Sequence, residues 1–386
     1  MKRNIRNLLI LIMSSFLLFL SGCWDTNEPE QMVYAQGMGV DFKDNRYVLY
    51  LQTINLSLLA KSEASGAGAG QVKVEVGYAT GKTIDEAIFR YYQISQRRIF
   101  FGHLAFLVLT DDALKHGAVK SAVDFLDRYR ETRYNIWMYA TKSPLKKTLL
   151  ATPMFEVSNA LSRLSDPKVI FKQNSFIPPI DLRELIIHLN EPSHEVNIPL
   201  VQTKEHLTTD QKKETAIQVN GAVAITSSEL KGVFSENKIK GLRWIADEFV
   251  RAGLRVRLPD HSNIDLVVDK KKVKIEPVIK GSNLTFNIKV RAKATILVMP
   301  QHEKLSTIKK EAEQKIKKQI IETYAQGLSI NSDVYRLSHV LYKKELRKWK
   351  AVQSNGAIPL TKDSINVKVN VQVKHGNKQR IGPTVD

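Results

Sequence analysis

The sequence predicts mixed sheet-and-helix domains, and three observations support this fold class. Amphipathic helical segments alternate with apolar strand-like segments, which is the pattern of layered domains. The length of 386 residues exceeds what one hydrophobic core usually organises, so we expect two or three domains. The composition, 43% hydrophobic and 25% charged, is that of a folded protein and not of a disordered one.

The first 22 residues have the layout of a secretory leader. Three basic residues precede an apolar run over 8–20, which is too short to cross a bilayer comfortably because that takes about 20 residues. Gly22 stands directly before Cys23, the only cysteine, and 20–23 resembles the lipobox of bacterial lipoproteins. We therefore expect cleavage after Gly22 and a covalent diacylglycerol and N-acyl lipid on Cys23, since two or more acyl chains anchor a protein stably. An uncleaved transmembrane anchor is the alternative.

The charge of the chain predicts a partner of opposite sign. The formal charge is +19, and removal of Lys2, Arg3 and Arg6 with the leader leaves 19 − 3, or +16, on a mature chain of 386 − 22, or 364, residues. We expect attraction to an anionic membrane surface, with solubility alone as the alternative. Nucleic acid is the usual partner of a basic chain, but export makes it improbable here.

The first half of the mature chain predicts a layered domain that ends near residue 195. A hairpin is expected over 37–56 with its turn at Asp44-Asn45, and Thr83 with Glu86 has the spacing of a capping box at a helix start. The remaining elements expected here are strands at 72–76, 104–109 and 135–140 and a second amphipathic helix at 119–129.

The second half predicts a polar linker followed by a strand-rich region with one long helix. The linker is expected at 191–215, and the long helix at 305–324 with Gly327 as its C-cap. The other elements expected are a hairpin at 216–235, a short helix at 244–250, strands at 264–298 with turns at 269–270 and 281–283, a helix capped by Asp333, and a strand at 365–373. Lys270, Lys271 and Lys272 are interpreted as a solvated hairpin tip.

The sequence gives no positive evidence for an enzyme. Nucleophile-elbow, Walker and dinucleotide motifs are absent, and the single cysteine and nine scattered histidines argue against a metal site. Among the histidines, His103 stands out because it lies between Gly102 and a predicted buried strand. We expect it either to pair with Asp124 or Asp127 or to make a structural hydrogen bond. Asp124, Arg128, Glu131 and Arg133 are spaced for intrahelical ion pairs or a surface network.

Several stretches in the same order resemble the Ger(x)C spore germination lipoproteins. They cover nearly the whole mature chain, although Asn355-Gly356 stands where that family usually has a second tryptophan after Trp349. The stretches are Cys23-Trp24-Asp25 with Glu28, 37–41, 81–87, Arg97-Arg98 with Phe101-Gly102-His103, 124–128 with Glu131 and Arg133, 221–232, 283–288, the helix from Leu305, and Trp349.

The resemblance implies the C subunit of a nutrient germinant receptor in the inner membrane of a bacterial spore. It implies two integral membrane partners, the A-type and B-type subunits, and no enzyme activity. It also implies three α+β domains in a row, which we place at 23–195, 196–262 and 263–386 after the signal peptide 1–22. Arg97, Arg98, His103, Asp124, Arg128, Glu131 and Arg133 are expected to form either an interdomain lock or a partner face.

Two other functions remain open from the residues. A solute-binding lipoprotein of a transporter would have two doubly wound lobes around a cleft. A wall-modifying hydrolase would have paired carboxylates or a Ser/His site in a pocket.

Overall fold

The structure is a computed structural model that describes residue 5 and residues 32–54, 74–151, 162–208, 213–281, 283–297 and 304–375. Gly22 and Cys23 lie outside the described residues, so the expected cleavage and lipid anchor stay predictions. Within the described residues the strands form one sheet of nine strands and one of four, both combined with helices. This arrangement confirms the predicted α+β fold.

The first sheet has a parallel centre and antiparallel flanks. Its strand order is β3-β2-β1-β5-β6-β7-β8-β9, with β4 also paired to β1. The four central strands β1, β5, β6 and β7 run parallel to one another. The strands are β1 (Met32–Lys43), β2 (Arg46–Ile54), β3 (Glu75–Gly81), β4 (Arg98–Phe100), β5 (Phe106–Thr110), β6 (Trp137–Thr141), β7 (Val196–Thr208), β8 (Lys213–Ile225) and β9 (Leu230–Ser235).

Helices cover both faces of this sheet, which is why β5 is buried along its whole length. Leu107 and Leu109 face a core shared with α1, α3 and α6, whereas Phe106 and Val108 face α4. The helices are α1 (Ile84–Ile94), α2 (Asp111–Lys115), α3 (Ala118–Arg128), α4 (Leu145–Leu149), α5 (Pro167–Gln173) and α6 (Leu182–Asn190).

Two local predictions in this half are confirmed by backbone geometry. Asp44 and Asn45 form the β1–β2 turn with φ of 50° and 57°, as a two-residue hairpin turn requires. Thr83 caps α1 by accepting a hydrogen bond from the Glu86 amide at 3.1 Å. The Glu86 carboxylate accepts from the amide of Lys82 at 2.6 Å, one residue before the position that a standard capping box uses.

The second sheet has the order β10-β11-β12-β13 and packs against one long helix. Ile308, Ala312, Ile316 and Ile320 of that helix are fully buried, at the three- and four-residue spacing that the sequence shows. The elements are α7 (Glu236–Ile239), α8 (Leu242–Ile245), β10 (Ala252–Arg257), β11 (Asn263–Lys280), β12 (Asn283–Ile296), α9 (Leu305–Ser329), α10 (Leu337–Lys344), α11 (Leu346–Val352), the 3₁₀ turn Lys362–Ser364 and β13 (Ile365–His375), which runs parallel to β12.

The expected linker at 191–215 is wrong, because most of it is β7 and the start of β8. The described ladder between β7 and β6 consists of Ala140–Leu200 and Thr141–Val201. Residues 202–205 extend beyond it as one arm of the β7–β8 hairpin, with side chains that stay partly or fully exposed. A strand that is not packed against other elements can consist of polar residues, which explains the polar composition of residues 202–205.

Three further expectations in this half are corrected. The turn expected at 269–270 is a bulge inside the continuous strand β11, so the three lysines are not a hairpin tip. Burial lowers the pKa of Lys271 to about 8, and its ammonium group donates to the carbonyl of Ala246. Gly327 lies inside α9 in contact with Val334 and does not end the helix. The short helix is α8, which ends at Ile245.

The three-domain division stays a prediction about folding units. The strands within 196–262 do not form a sheet of their own. By hydrogen bonding, β7, β8 and β9 belong to the first sheet, and β10 is an edge strand of the second. The buried core around the second sheet likewise includes Ala222 and Phe234 from β8 and β9.

Candidate functional site

The two sheets meet along a polar contact zone, which we call the seam. The Glu195 carboxylate, just before β7, accepts hydrogen bonds from Ser332 Oγ at 2.7 Å and from the Asp333 amide at 3.0 Å. Asn197 Nδ2 donates to the carbonyl of Val334 at 3.0 Å. The residues of the seam are Glu191, Ser193, His194, Glu195 and Asn197 on one side and 332–339 and Gly356 on the other.

A tight turn brings the seam residues of the first sheet into place. After α6, Ser193 and His194 have φ of 88° and 49°, which reverses the chain into β7. The Ser193 amide donates to the carbonyl of Gly356 at 3.0 Å. Gly356 has a φ of 80°, and a Cβ there would lie 2.3 Å from the His194 ring. Asn355 and Gly356 therefore form a turn whose second position only a glycine fits.

Asp333 lies four residues before the first residue of α10, and its carboxylate joins that helix to the seam. Its two carboxylate oxygens accept from the amides of Leu337 and Ser338, both at 2.8 Å, and Ser193 Oγ donates to it at 3.3 Å. Burial raises the pKa of Asp333 and of Glu195, although the hydrogen bonds to both groups oppose this. The predicted cap at Asp333 is thus confirmed, and the same carboxylate also links the two sheets.

An ion pair with an adjacent imidazole closes the other end of the seam. Arg336 Nη2 lies 2.9 Å from Glu191 Oε2, and His339 Nδ1 lies 3.5 Å from the same oxygen. Burial tends to raise the pKa of Glu191, but the Arg336 hydrogen bond and the nearby charges outweigh it and hold that pKa below its ordinary value. Burial and Arg336 lower the pKa of His339, so its contact with Glu191 joins a carboxylate to a neutral ring.

Beside the seam lies a cleft of about 350 Å³ between α6 and β7 on one side and α8 and α10 on the other. Glu184 and His188 reach it from α6, one helical turn apart, and Arg336 and His339 reach it from the opposite side. Burial raises the pKa of Glu184 and, with Arg336, lowers that of His188 to about 4. The apolar part of the lining includes Ile180, Val196, Leu242, Ile245 and Val334.

The site residues expected from the sequence lie elsewhere, on one side of the first domain. We call Arg97, Arg98, His103, Asp124, Arg128, Glu131 and Arg133 the N-terminal polar face. Phe101 packs against Phe125 and Tyr129 with ring centroids 5.8 Å and 4.9 Å apart, so the segment 97–103 lies on α3. The structure therefore brings the two halves of the expected set together.

Of the two expectations for this face, intrahelical ion pairs or a surface network, the contacts of Arg128 favour the second. Arg128 Nη2 pairs with Asp85 of α1 at 3.2 Å, and its Nε donates to the carbonyl of Asp124. The His103 ring packs edge-on against Tyr34 at 5.1 Å. The contacts across the seam between the two sheets are made by other residues, and the role of the N-terminal polar face as an interdomain lock or a partner face stays a prediction.

The sequence signals missed most of the seam and the cleft. The sequence predicts Asp333 as a helix cap, but it predicts a linker at Glu191 and Glu195 because the local sequence there shows only polar composition. Arg336 and His339 stand in an ordinary amphipathic pattern. A spacing of more than 130 residues between partners leaves no local motif.

None of the described helices is both long and apolar enough to span a bilayer. No cluster of three or more His, Cys, Asp or Glu side chains suited to a metal ion occurs among the described residues.

Comparison with known proteins gives matches over both sheets. Residues 25–203 match the family model described as the spore germination protein N-terminal domain, and residues 220–376 match the spore germination B3/GerAC-like C-terminal model. Spore germination protein KC of Bacillus subtilis is 22% identical over 90% of this chain and 89% of its own. Spore germination protein B3 of the same organism is 24% identical over 74% of this chain and 73% of its own.

A solved structure shares the fold. The crystal structure of the GerBC protein superimposes with a TM-score of 0.55 and 17% sequence identity, over 90% of this chain and 99% of that one. At this identity the likeness concerns the arrangement of sheets and helices alone.

Proposed function

This chain belongs to the Ger(x)C family of spore germination proteins, the C subunits of nutrient germinant receptors, and on that premise we propose that it is a lipid-anchored subunit that acts by protein contact and not as an enzyme. The observation that carries the proposal is the extent of the family match, from residue 25 to 376 with one gap, which includes strands of both sheets.

We place the anchor at Cys23, on the outer face of the spore inner membrane. The family match begins at residue 25, two residues after this cysteine, which supports Cys23 as the first residue of the mature chain. Diacylglycerol on its sulfur and an acyl group on its amine supply more than one chain, as stable anchoring requires. Tethering confines the protein to the membrane plane and so raises its effective concentration near membrane partners.

We propose the A-type and B-type integral membrane subunits as those partners, with the N-terminal polar face as the contact surface. The face carries Arg97, Arg98, Arg128 and Arg133 together with Asp124 and Glu131, and most of these side chains are exposed. A mixed charge pattern of this kind favours one partner orientation over others, because misplaced like charges repel.

The anchor and the receptor role are tested together in spores. Cys23→Ala should move the protein out of the membrane fraction and reduce germination in defined nutrients toward the level of a deletion strain. Deletion strains should also lack related paralogues, because these can substitute. A Cys23→Ala protein that stays in the membrane fraction refutes the anchor, and normal germination of the deletion strain in every nutrient refutes the receptor role.

The contact surface has its own test. Arg128→Glu with Arg133→Glu should reduce co-purification of the A-type and B-type subunits about tenfold or more, since like-charge contacts at an interface cost several kcal/mol. Arg257→Glu, on β10 of the second sheet, is the matched control and should leave co-purification unchanged. Equal behaviour of the two proteins would place the contact elsewhere.

A further inference from the structure

The second sheet has one face in the core and one face in solvent. In β12, Ile288 and Val290 are buried in the core that also contains α9, whereas Lys289, Arg291 and Lys293 are exposed on the opposite side. Residues of β11 and β13 that are in register with these three share their side of the sheet. We call this solvent side of the second sheet the basic face.

Two rows across the basic face place like charges directly opposite each other. Lys270 of β11 lies opposite Lys293 of β12, and Lys272 lies opposite Arg291. All four side chains are exposed, and none of them makes an ion pair with another described residue. Like charges directly opposite each other destabilise a sheet, so these pairs lower the stability of the isolated chain.

A third row extends the positive charge onto the edge strand. Lys274, Lys289 and Lys368 stand side by side on β11, β12 and β13. Glu276, in the next row, pairs with Lys274 at 2.6 Å and with Lys289 at 3.3 Å. Lys368 makes no ion pair with a described residue. One carboxylate therefore offsets only a small part of the charge of the three rows.

The remaining charges of the basic face lie around these rows and leave the excess positive. Arg255 of β10 pairs with Asp265 of β11 at 2.8 Å, so these two charges offset each other. Asp269, the extra residue of the β11 bulge, is exposed beside the first row. Three more exposed basic residues belong to the same side of the sheet: Arg257, Lys280 and Lys374.

Protection of a sheet edge does not explain this charge. Lysines on an edge strand deter pairing with other chains, but β12 has a neighbour on each side. Residues two apart on a strand are separated by about 6.8 Å and neighbouring strands by about 4.8 Å, so the charges cover a broad area and not a single line. A surface of anionic lipid headgroups matches such an area better than one acidic polymer strand does.

We propose that the basic face docks on an anionic lipid bilayer, with its lysine and arginine side chains on the phosphate groups and α9 on the side away from the lipid. The inference rests on the proposed membrane location. Cys23 and the start of β1 at Met32 are 32 − 23, or nine, residues apart, a span of at most about 30 Å, so an anchored chain stays close to the bilayer. The basic face then determines which side of the chain turns toward the lipid.

The first test reverses charge on the basic face without loss of fold. Lys272→Glu with Lys293→Glu turns two like-charge pairs into opposite-charge pairs, because their partners are Arg291 and Lys270. The lipid-free mature chain from residue 24 should lose about 20-fold or more in affinity for vesicles of equal parts phosphatidylglycerol and phosphatidylcholine, since each basic residue at an anionic surface contributes about fivefold. Sedimentation with the vesicles measures the affinity.

Lys310→Glu with Lys317→Glu is the matched control, because it makes the same change of net charge on the exposed side of α9. It should change the affinity by less than about threefold at 0.1 M salt, since charges more than about 10 Å from the lipid are screened. Equal losses in the two variants would assign the attraction to total charge and overturn the proposal. Tighter binding to poly-L-glutamate than to the vesicles, at equal concentration of anionic groups, would overturn the choice of a bilayer.

A fluorophore shows directly which side meets the lipid. The chain from residue 24 contains no cysteine, so Asn370→Cys introduces a single thiol in the row of Lys272 and Arg291. An environment-sensitive dye there should shift its emission to the blue when vesicles are added, and the same dye at Gln314→Cys on α9 should not. No shift at position 370, or equal shifts at both, overturns the proposal. Because this chain lacks Cys23, such a failure leaves the anchor and the receptor role standing.

Discussion

At the scale of single residues, Gly356 contributes to the contact between the two sheets because it has no side chain. Its carbonyl accepts from the Ser193 amide and from Ser338 Oγ, so residues from both sides of the seam meet on one atom. The approach depends on the space that the absent Cβ leaves for His194. Gly356 is thus a structural element of the seam.

Gly356→Ala should therefore destabilise the protein by about 2–4 kcal/mol. The left-handed backbone costs a non-glycine residue about 1–2 kcal/mol, and the overlap with His194 adds to it. Urea unfolding measures the loss. Gly281→Ala is the control, because Gly281 has a φ of 58° but nothing within 4 Å of its Cβ position. Equal losses for the two variants would show that the His194 contact has no energetic effect.

His188 makes a pH prediction at the same scale. Its pKa is about 4 in the folded chain and about 6.5 when unfolded, so the folded state favours the neutral ring. The stability from this group is complete above pH 6.5 and is lost as the pH falls from about 6.5 to about 4, because the unfolded ring then gains a proton first.

His188→Gln should remove part of this acid sensitivity. Between pH 7 and pH 4 the free energy of unfolding should decrease in both proteins. The decrease should be smaller in the variant by on the order of 2 kcal/mol, a figure that allows for the partial exposure of His188. Urea titrations at several pH values measure the two curves. Parallel curves would mean that His188 titrates alike in both states.

At the scale of elements, hydrogen bonds at the first turn of α10, and not only the packing of its apolar face, determine its position against the first sheet. Asp333 satisfies two free amides at the helix start, and the same carboxylate receives Ser193 from the other side of the seam. Trp349 of α11 donates to Ser338 Oγ at 2.9 Å, which ties the next helix to the same point. A local capping motif thus determines where two helices meet the first sheet.

Asp333→Asn should cost about 1–3 kcal/mol of unfolding free energy. The amide nitrogen of asparagine cannot accept a hydrogen bond, so a backbone amide of Leu337 or Ser338 loses its partner in a buried site. Asp363→Asn, on the exposed turn before β13, is the control and should change stability by less than about 0.5 kcal/mol. Chemical denaturation compares both with the original protein.

At the scale of the whole molecule, the charge of the mature chain distinguishes attraction to lipid from simple solubility. A net charge of 19 − 3, or +16, should attract an anionic bilayer, with each basic residue near the surface contributing about 1 kcal/mol. This attraction would add to the anchor, since it orients a protein that the lipid only tethers.

The mature chain from residue 24, which has no lipid, should bind vesicles of phosphatidylglycerol and not those of phosphatidylcholine. Binding should disappear at about 1 M salt, where the screening length falls to about 3 Å. Sedimentation with vesicles measures the bound fraction. Equal binding to both lipids, or none to either, would leave solubility as the role of the charge.

Features that depend on neighbours along the chain can be predicted from the amino-acid sequence. Helix periodicity in α9, the Asp44-Asn45 turn, the caps at Thr83 and Asp333 and the ordered family motifs are all local, because they need only residues a few positions apart. The seam, the cleft and the strand β7 can be recognised only in the folded chain. Glu195 and Ser332 meet across 137 residues, and the half-buried Lys271 donates to the carbonyl of Ala246, which lies outside its own strand. Burial and long-range pairing are properties of the packed chain, so a polar segment that reads as a linker can become a strand at the contact between two sheets.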